Sequence, residues 1–185
     1  MIDLTNHFLI TTPNFPGQSI YARSVIYITE HDKTTGAVGV IINRPIGKHI
    51  DKVLQSINVE NPLAIDKFLY WGGPVSMDTG YVLHKMGKNI KNQAFEITNN
   101  KNTLSEIVEN NKECDELFIA MGYCGWTQNQ IEYEFKKDAW IVVPADKEIL
   151  FNINPVDKYD AALRKLGVRH VNQLVYGDMT SQSVS

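Results

Sequence analysis

Two apolar runs flank a polar turn near the start of the chain. Residues 24–30 (SVIYITE) are rich in β-branched and aromatic side chains, and residues 37–43 (AVGVIIN) are almost wholly apolar. His31-Asp32-Lys33-Thr34-Thr35-Gly36 between them supplies polar turn residues and a glycine. The pattern predicts a β-hairpin closed by a loop of about five or six residues. Because the second run has no polar face, it belongs in the middle of a sheet with layers on both sides. Ahead of the hairpin, the run at 8–12 predicts a short strand, stopped by Pro13 and by the Pro16-Gly17 turn signal.

Pro45-Ile46-Gly47 is expected to end the second hairpin strand. Ile50, Val53, Leu54 and Ile57 then fall at the i, i+3, i+4, i+7 spacing of an amphipathic helix. Short strands are predicted at 67–71, 80–84, 94–98 and 117–121, and a polar loop at 85–92. A second helix is predicted at 103–109, with Leu104, Ile107 and Val108 apolar. Thr127 and Gln130 have the spacing of a capping box, the hydroxyl serving one orphan amide and the Gln side chain another. Trp126 and Ile131 would form its hydrophobic staple, with Ile131 and Phe135 on one helix face. A strand at 139–143 ends at Pro144. Tyr159, Ala162, Leu163 and Leu166 mark a last helix, with Gly167 past its end. Residues 171–176 read as extended and 177–185 as a mobile polar tail. Roughly eight strands and four helices, without linker or repeat, make one α+β domain over residues 1–176.

Composition narrows the class. The 185 residues are 43% hydrophobic and 21% charged, a globular rather than a disordered balance. A chain this long buries roughly 70% of the surface its unfolded form exposes, so it needs no disulfide or structural metal to fold. Eighteen basic against 21 acidic residues leave a formal charge of −3, unlike the basic footprint of a dedicated nucleic-acid binder. Cys114 and Cys124 flank a predicted strand at 116–121. Such a strand spans about 20 Å, whereas bridged Cα atoms lie within ~7 Å. Both thiols are expected free, as in a reducing cytoplasm. The N-terminus lacks the basic region and apolar core of a signal peptide, and no run approaches the ~18 apolar residues of a membrane span. The expectation is a soluble cytoplasmic protein.

Motifs for common chemistries are missing. No G-x-G-x-x-G, G-x-x-x-x-G-K-[ST], G-x-S-x-G, H-E-x-x-H or C-x-x-C occurs, so phosphate-loop hydrolysis, α/β-hydrolase chemistry and structural zinc lose their main support. No cofactor and no metal is expected. Local clusters remain. Glu30-His31-Asp32 offers acid/base groups at a strand end, but a metal there would need a second histidine such as His84, which no spacing supplies. Arg44 follows a buried strand directly, and Pro45 holds it extended. Arg23 stands at the mouth of the paired strand, so the two guanidiniums share a sheet edge and could converge on an anion, unless an acidic residue of the chain pairs with them. Asn43 tolerates a tight turn. Gly72-Gly73 within Trp71-Gly72-Gly73-Pro74 permits close approach of a strand or a ligand. In Gly122-Tyr123-Cys124-Gly125-Trp126 the strand is expected to stop in a flexible bend, with Cys124 as a small packed residue. Glu132 and Glu134 point apart on a helix, and Glu134 with Asp138 reads as solvated surface.

These clusters, in this order, resemble the AlgH/YqgE family of bacterial proteins. The resemblance rests on Phe8-Leu9-Ile10-Thr11-Thr12-Pro13, on Arg23-Ser24-Val25-Ile26-Tyr27 through Glu30-His31, and on residues 36–45 (GAVGVIINRP). It continues through Gly72-Gly73-Pro74-Val75, Gly80-Tyr81-Val82-Leu83-His84, Gly122-Tyr123-x-Gly125-Trp126, Gln130-x-Glu132-x-Glu134 and Ala139-Trp140-Ile141. Two positions depart from the pattern: Cys124 stands where Ala or Ser is usual, and Asn129 where Gly is usual. The resemblance implies a compact α+β fold with a large, bent, mostly antiparallel sheet flanked by helices. The family name derives from an association with transcriptional control of alginate production, and neither a catalytic mechanism nor a DNA-reading helix comes with it.

Function is therefore expected to be regulatory or interactive and non-catalytic, with an unknown protein or an anionic small molecule as partner. The alternative is a small-molecule or anion-binding protein, or an enzyme, built on Arg23, His31, Arg44 and His84, with Asn43, Gly72 and Gly73 beside them. Direct DNA binding is not expected.

Overall fold

The computed structural model describes residues 3–12, 19–49, 68–85, 95–100, 102, 106 and 117–167. The predicted helix at 50–57, nearly all of the one at 103–109, Cys114, the extension at 171–176 and the tail at 177–185 lie outside the described residues.

Among the described residues, nine strands form one sheet: β1 (His7–Thr11), β2 (Val25–Asp32), β3 (Gly36–Ile41), β4 (Pro45–His49), β5 (Phe68–Trp71), β6 (Val75–Lys85), β7 (Phe95–Thr98), β8 (Phe118–Trp126) and β9 (Trp140–Pro144). Their order is β4-β5-β8-β3-β2-β1-β9, with β6 joining from β8 and carrying β7. Every pairing is antiparallel except that of β5 with β8. Helix α1 (Gln130–Phe135), a π-helical turn (Glu148–Asn152) and helix α2 (Lys158–Arg164) join the sheet in an α+β architecture. No helix among the described residues is long and apolar enough to cross a membrane.

Alternation along the hairpin sorts its side chains onto two faces. Val25, Tyr27, Val40 and Ile42 join one buried cluster, with Phe8, Phe118 and Tyr159, Ala161, Ala162 and Leu163 of α2. Ile26, Ile28, Ala37 and Ile41 join the other, with Leu9, Trp126, Trp140 and Ile131 of α1. The doubly apolar strand is thus covered on both sides, as its sequence requires.

Strand β8 is where the sheet bends. Its first half runs between β5 and β6, Ile119 facing Leu69 on one side and Val82 on the other. Its second half pairs with β3, Cys124 opposite Gly39 and Trp126 opposite Ala37. Gly122, at φ +70°, separates the halves. The expected stop near 121 is therefore a turn within one strand: a glycine with positive φ redirects the backbone, which regains ladder partners on β3. A second difference is β4. Pro45 begins an edge strand on β5, a position where proline's missing N–H costs no ladder bond.

The capping box forms only in part. Helix α1 is preceded by Asn129 at φ +62°, which makes no side-chain cap bond. The Thr127 hydroxyl serves no helix amide; instead Gln130 Oε1 accepts from the Thr127 N–H at 3.0 Å and from its hydroxyl at 3.2 Å. The left-handed backbone at 129 explains why Gly is usual there, since Asn is the side chain that next tolerates it. The staple is present, with Trp126 and Ile131 buried in one cluster. In α2, Tyr159, Ala162 and Leu163 are buried as expected, but Leu166 lies past the helix and is 45% exposed. Periodicity also missed Lys158, which is 1% exposed. Its Nζ donates to the Leu150 carbonyl at 2.7 Å and lies 5.3 and 5.4 Å from the centroids of the Tyr70 and Phe118 rings, so its charge is held by a carbonyl dipole and two aromatic faces.

Candidate functional site

Antiparallel pairing brings Arg23 and Arg44 to one edge of the hairpin. Where the β3 backbone leaves the ladder, Asn43 takes its place: Nδ2 donates to the Arg23 carbonyl at 2.8 Å, and Oδ1 accepts from the Val25 N–H at 2.9 Å. The two guanidiniums then part. Arg44 Nη2 donates to the Ala22 carbonyl at 2.8 Å, and its Cζ lies 5.5 Å from the Trp71 ring centroid. Arg23 Nη2 lies 3.3 Å from Asp160 Oδ1, and its Cζ stands 4.4 Å over the Tyr159 ring. Tyr159 belongs to one core cluster and Trp71 packs against the other, so the two charges lean toward opposite faces of the sheet. Asp160, reached across 137 residues of chain, is the acidic partner of Arg23. Both side chains of that pair are more than half exposed, and such surface pairs contribute little to stability.

Gly72 and Gly73 do permit a close approach, and what approaches is β8. A Cβ at Gly72 would overlap the Gly122 carbonyl oxygen and come within 2.8 Å of Ala120 Cβ. A Cβ at Gly73 would overlap the Tyr123 carbonyl and lie 2.6 Å from the Cys124 nitrogen. The two glycine motifs singled out in the sequence are the two sides of one backbone crossing. Cys124 sits inside it, fully buried, its Sγ donating to the Gly72 carbonyl at 3.4 Å. Burial pushes the thiol well above its ordinary range and lifts nearby Tyr21 to about 12. A thiolate nucleophile is disfavoured there, which matches the packed role expected. A disulfide reagent should accordingly leave Cys124 untouched in the native protein and label it after denaturation; rapid labelling of the native thiol would contradict its burial.

His31 is carried to the far end of β2, about 25 Å along the strand from Arg23. Its Nδ1 accepts from the Leu4 N–H at 3.1 Å, and its Nε2 makes no hydrogen bond but lies 3.4 Å from Glu132 Oε1. His84 lies on β6 opposite Glu96 of β7. Among the described residues, no group of three or more His, Cys, Asp or Glu could hold a metal ion.

The residue that sequence reasoning missed is Glu134. It is half-buried rather than solvated: Oε2 accepts from the indole N–H groups of Trp126 at 2.9 Å and Trp140 at 2.6 Å, and Oε1 accepts from Gln130 Nε2 at 3.0 Å. The available signal was a short helix bracketed by two tryptophans, whose buried N–H groups require acceptors. Glu134→Gln should cost about 1–2 kcal/mol, because the oxygen can still face the indoles but charge assistance is lost. Thermal melts followed by tryptophan fluorescence measure it, and an unchanged midpoint would show that the carboxylate contributes nothing.

Comparison with known proteins adds the following. The family model DUF179, described as AlgH-like, matches residues 8–171. A UPF0301 protein of Shewanella oneidensis is 36% identical over 177 residues, covering 90% of this chain and 93% of its own. A UPF0301 protein of Azoarcus sp. is 39% identical over 175 residues, covering 90% of both. The solution structure of the AlgH protein from Pseudomonas aeruginosa superposes with a TM-score of 0.72 at 32% identity, over 99% of this chain and 96% of that one. A crystal structure of a Corynebacterium diphtheriae protein, 18% identical, shares the fold with a TM-score of 0.65 over 89% of this chain and 88% of its own.

Proposed function

This chain belongs to the AlgH-like family, and from that premise we propose that it is a cytoplasmic regulatory protein that acts by binding a partner rather than by catalysis. The observation that carries the reading is the use to which its reactive side chains are put. Arg23 ties α2 to the hairpin, Cys124 fills a backbone crossing, and Glu134 gathers two indoles and a glutamine. Each of these three groups has a scaffold role.

An anionic group is the partner chemistry we favour, met at the hairpin edge by Arg44. The specific support is that Arg44 is half-buried yet, among the described residues, spends a single N–H, toward Ala22, of the five donors a guanidinium carries. A planar fork with unused donors beside an aromatic ring suits a carboxylate or a phosphate. Regulation would then run through the bound partner and not through DNA, in keeping with the net charge of −3. Calorimetric titration with phosphate and with citrate tests the reading. Binding by the wild type should fall about tenfold or more in Arg44→Ala, the equivalent of a lost charge-assisted bond. Equal affinity in the two proteins, or no anion binding by the wild type, would remove Arg44 as a recognition residue.

A further inference from the structure

A cleft of about 650 Å³ opens where the end of the β2–β3 hairpin meets the end of β8. This volume is in the range of small-ligand sites. Val38 and Gly125 take up little room in its lining, which also includes the aromatic residues Tyr123 and Trp126 and the acids Glu30 and Asp32; no Lys or Arg is among the lining residues.

Three further observations define the ligand. Glu30 is exposed, and its side chain has no hydrogen bond or ion pair among the described residues. Asp32 spends Oδ1 alone on its turn, accepting the Thr34 N–H at 2.7 Å, the Thr35 N–H at 3.1 Å and both threonine hydroxyls. Those bonds lower its carboxyl to about 2, so Oδ2 presents charge at every physiological pH. His31, between the two acids, turns its ring to other partners: Nδ1 lies 3.1 Å from the Leu4 nitrogen, and Nε2, buried without a hydrogen bond, lies 3.4 Å from Glu132 Oε1. The register sets the spacing. Glu30 lies opposite Val38 and Asp32 opposite Gly36, so the two acids share one strand face, about 6–7 Å apart.

We propose that this cleft binds an aliphatic diamine or polyamine, one ammonium group on Glu30 and the next on Asp32, with the methylene chain along Val38 and Tyr123. Extended 1,4-diaminobutane separates its two nitrogens by roughly the repeat of alternate strand residues. Each ammonium gains a charge-assisted hydrogen bond, and the chain loses apolar surface to the aromatic wall. The site is distinct from the arginine edge, and its failure would leave the anion reading standing.

Calorimetric titration of the full chain with 1,4-diaminobutane in about 0.15 M salt is expected to show saturable one-to-one binding. 1-Butylamine should bind about tenfold more weakly or worse, and 1,4-butanediol should give no heat. Glu30→Gln should weaken diamine binding about tenfold. Asp157→Asn, the same charge change at an exposed residue whose side chain caps nothing, should leave it unchanged. Gly125→Val should block the cleft without loss of fold, since a Cβ there meets only the Tyr123 ring edge at 3.4 Å. Equal effects of Glu30→Gln and Asp157→Asn, butylamine binding as tightly as the diamine, or an undisturbed affinity in a folded Gly125→Val would reduce the effect to general counterion attraction and overturn the proposal. No heat at millimolar diamine would overturn it as well.

Discussion

Gly73→Ala is expected to yield no folded protein at 25 °C. Residue 73 sits at φ +152°, where a side chain is strained, and the new Cβ would overlap the Tyr123 carbonyl and press on the Cys124 nitrogen. Neither obstacle is a flexible side chain. Both are backbone atoms of the strand that joins the two parts of the sheet, and moving them would break the pairing of Cys124 with Gly39 and of Ile119 with Leu69. Strain of this kind places the loss beyond ~4–5 kcal/mol, the exceptional end of single substitutions, against a total stability of about 5–15 kcal/mol. Circular dichroism and amide NMR of the purified variant provide the measurement. Gly125→Ala in the same strand is the control, because its Cβ has room. A cooperatively folding Gly73→Ala, destabilised by less than about 2 kcal/mol, would contradict the crossing.

Ile41→Ala should cost about 2–5 kcal/mol in urea unfolding. Ile41 is wholly buried, pairs with Ile26 across the hairpin, and packs in the cluster that holds Trp126 and Trp140. Its own N–H donates to the Gly72 carbonyl at 2.9 Å, so the strand is tied to the glycine crossing on one side and to β2 on the other. Truncation removes the transfer free energy of three side-chain carbons and leaves a cavity in a closely packed cluster. A loss below ~1 kcal/mol would make β3 peripheral.

The hairpin was legible because hydrophobic patterning reports burial directly. An uninterrupted apolar run such as AVGVII has few places to go other than the middle of a covered sheet, and residues 36–41 are found there. The bend in β8 was not legible. Local composition around Gly122 is that of a stop, and only a partner strand more than 80 residues earlier in the chain, β3, makes it a continuation. The arginines illustrate the same division. Register placed both at one edge correctly, yet the direction of each guanidinium depends on Tyr159 and Trp71, which arrive from elements that no local pattern connects to the hairpin. Glu134 was misread for the same reason: one of its indole partners lies in β8 and the other in β9, while the helix face alone reads as polar.

Binding without catalysis is tested most directly by incubating the protein with a soluble bacterial metabolite extract and following every component over hours by mass spectrometry. A binding protein predicts that certain anionic metabolites are retained with the wild type and lost with Arg44→Ala, while no metabolite changes in amount with time. A protein-dependent conversion that proceeds with time and disappears in Arg44→Ala would contradict it, and would make the hairpin edge an active site.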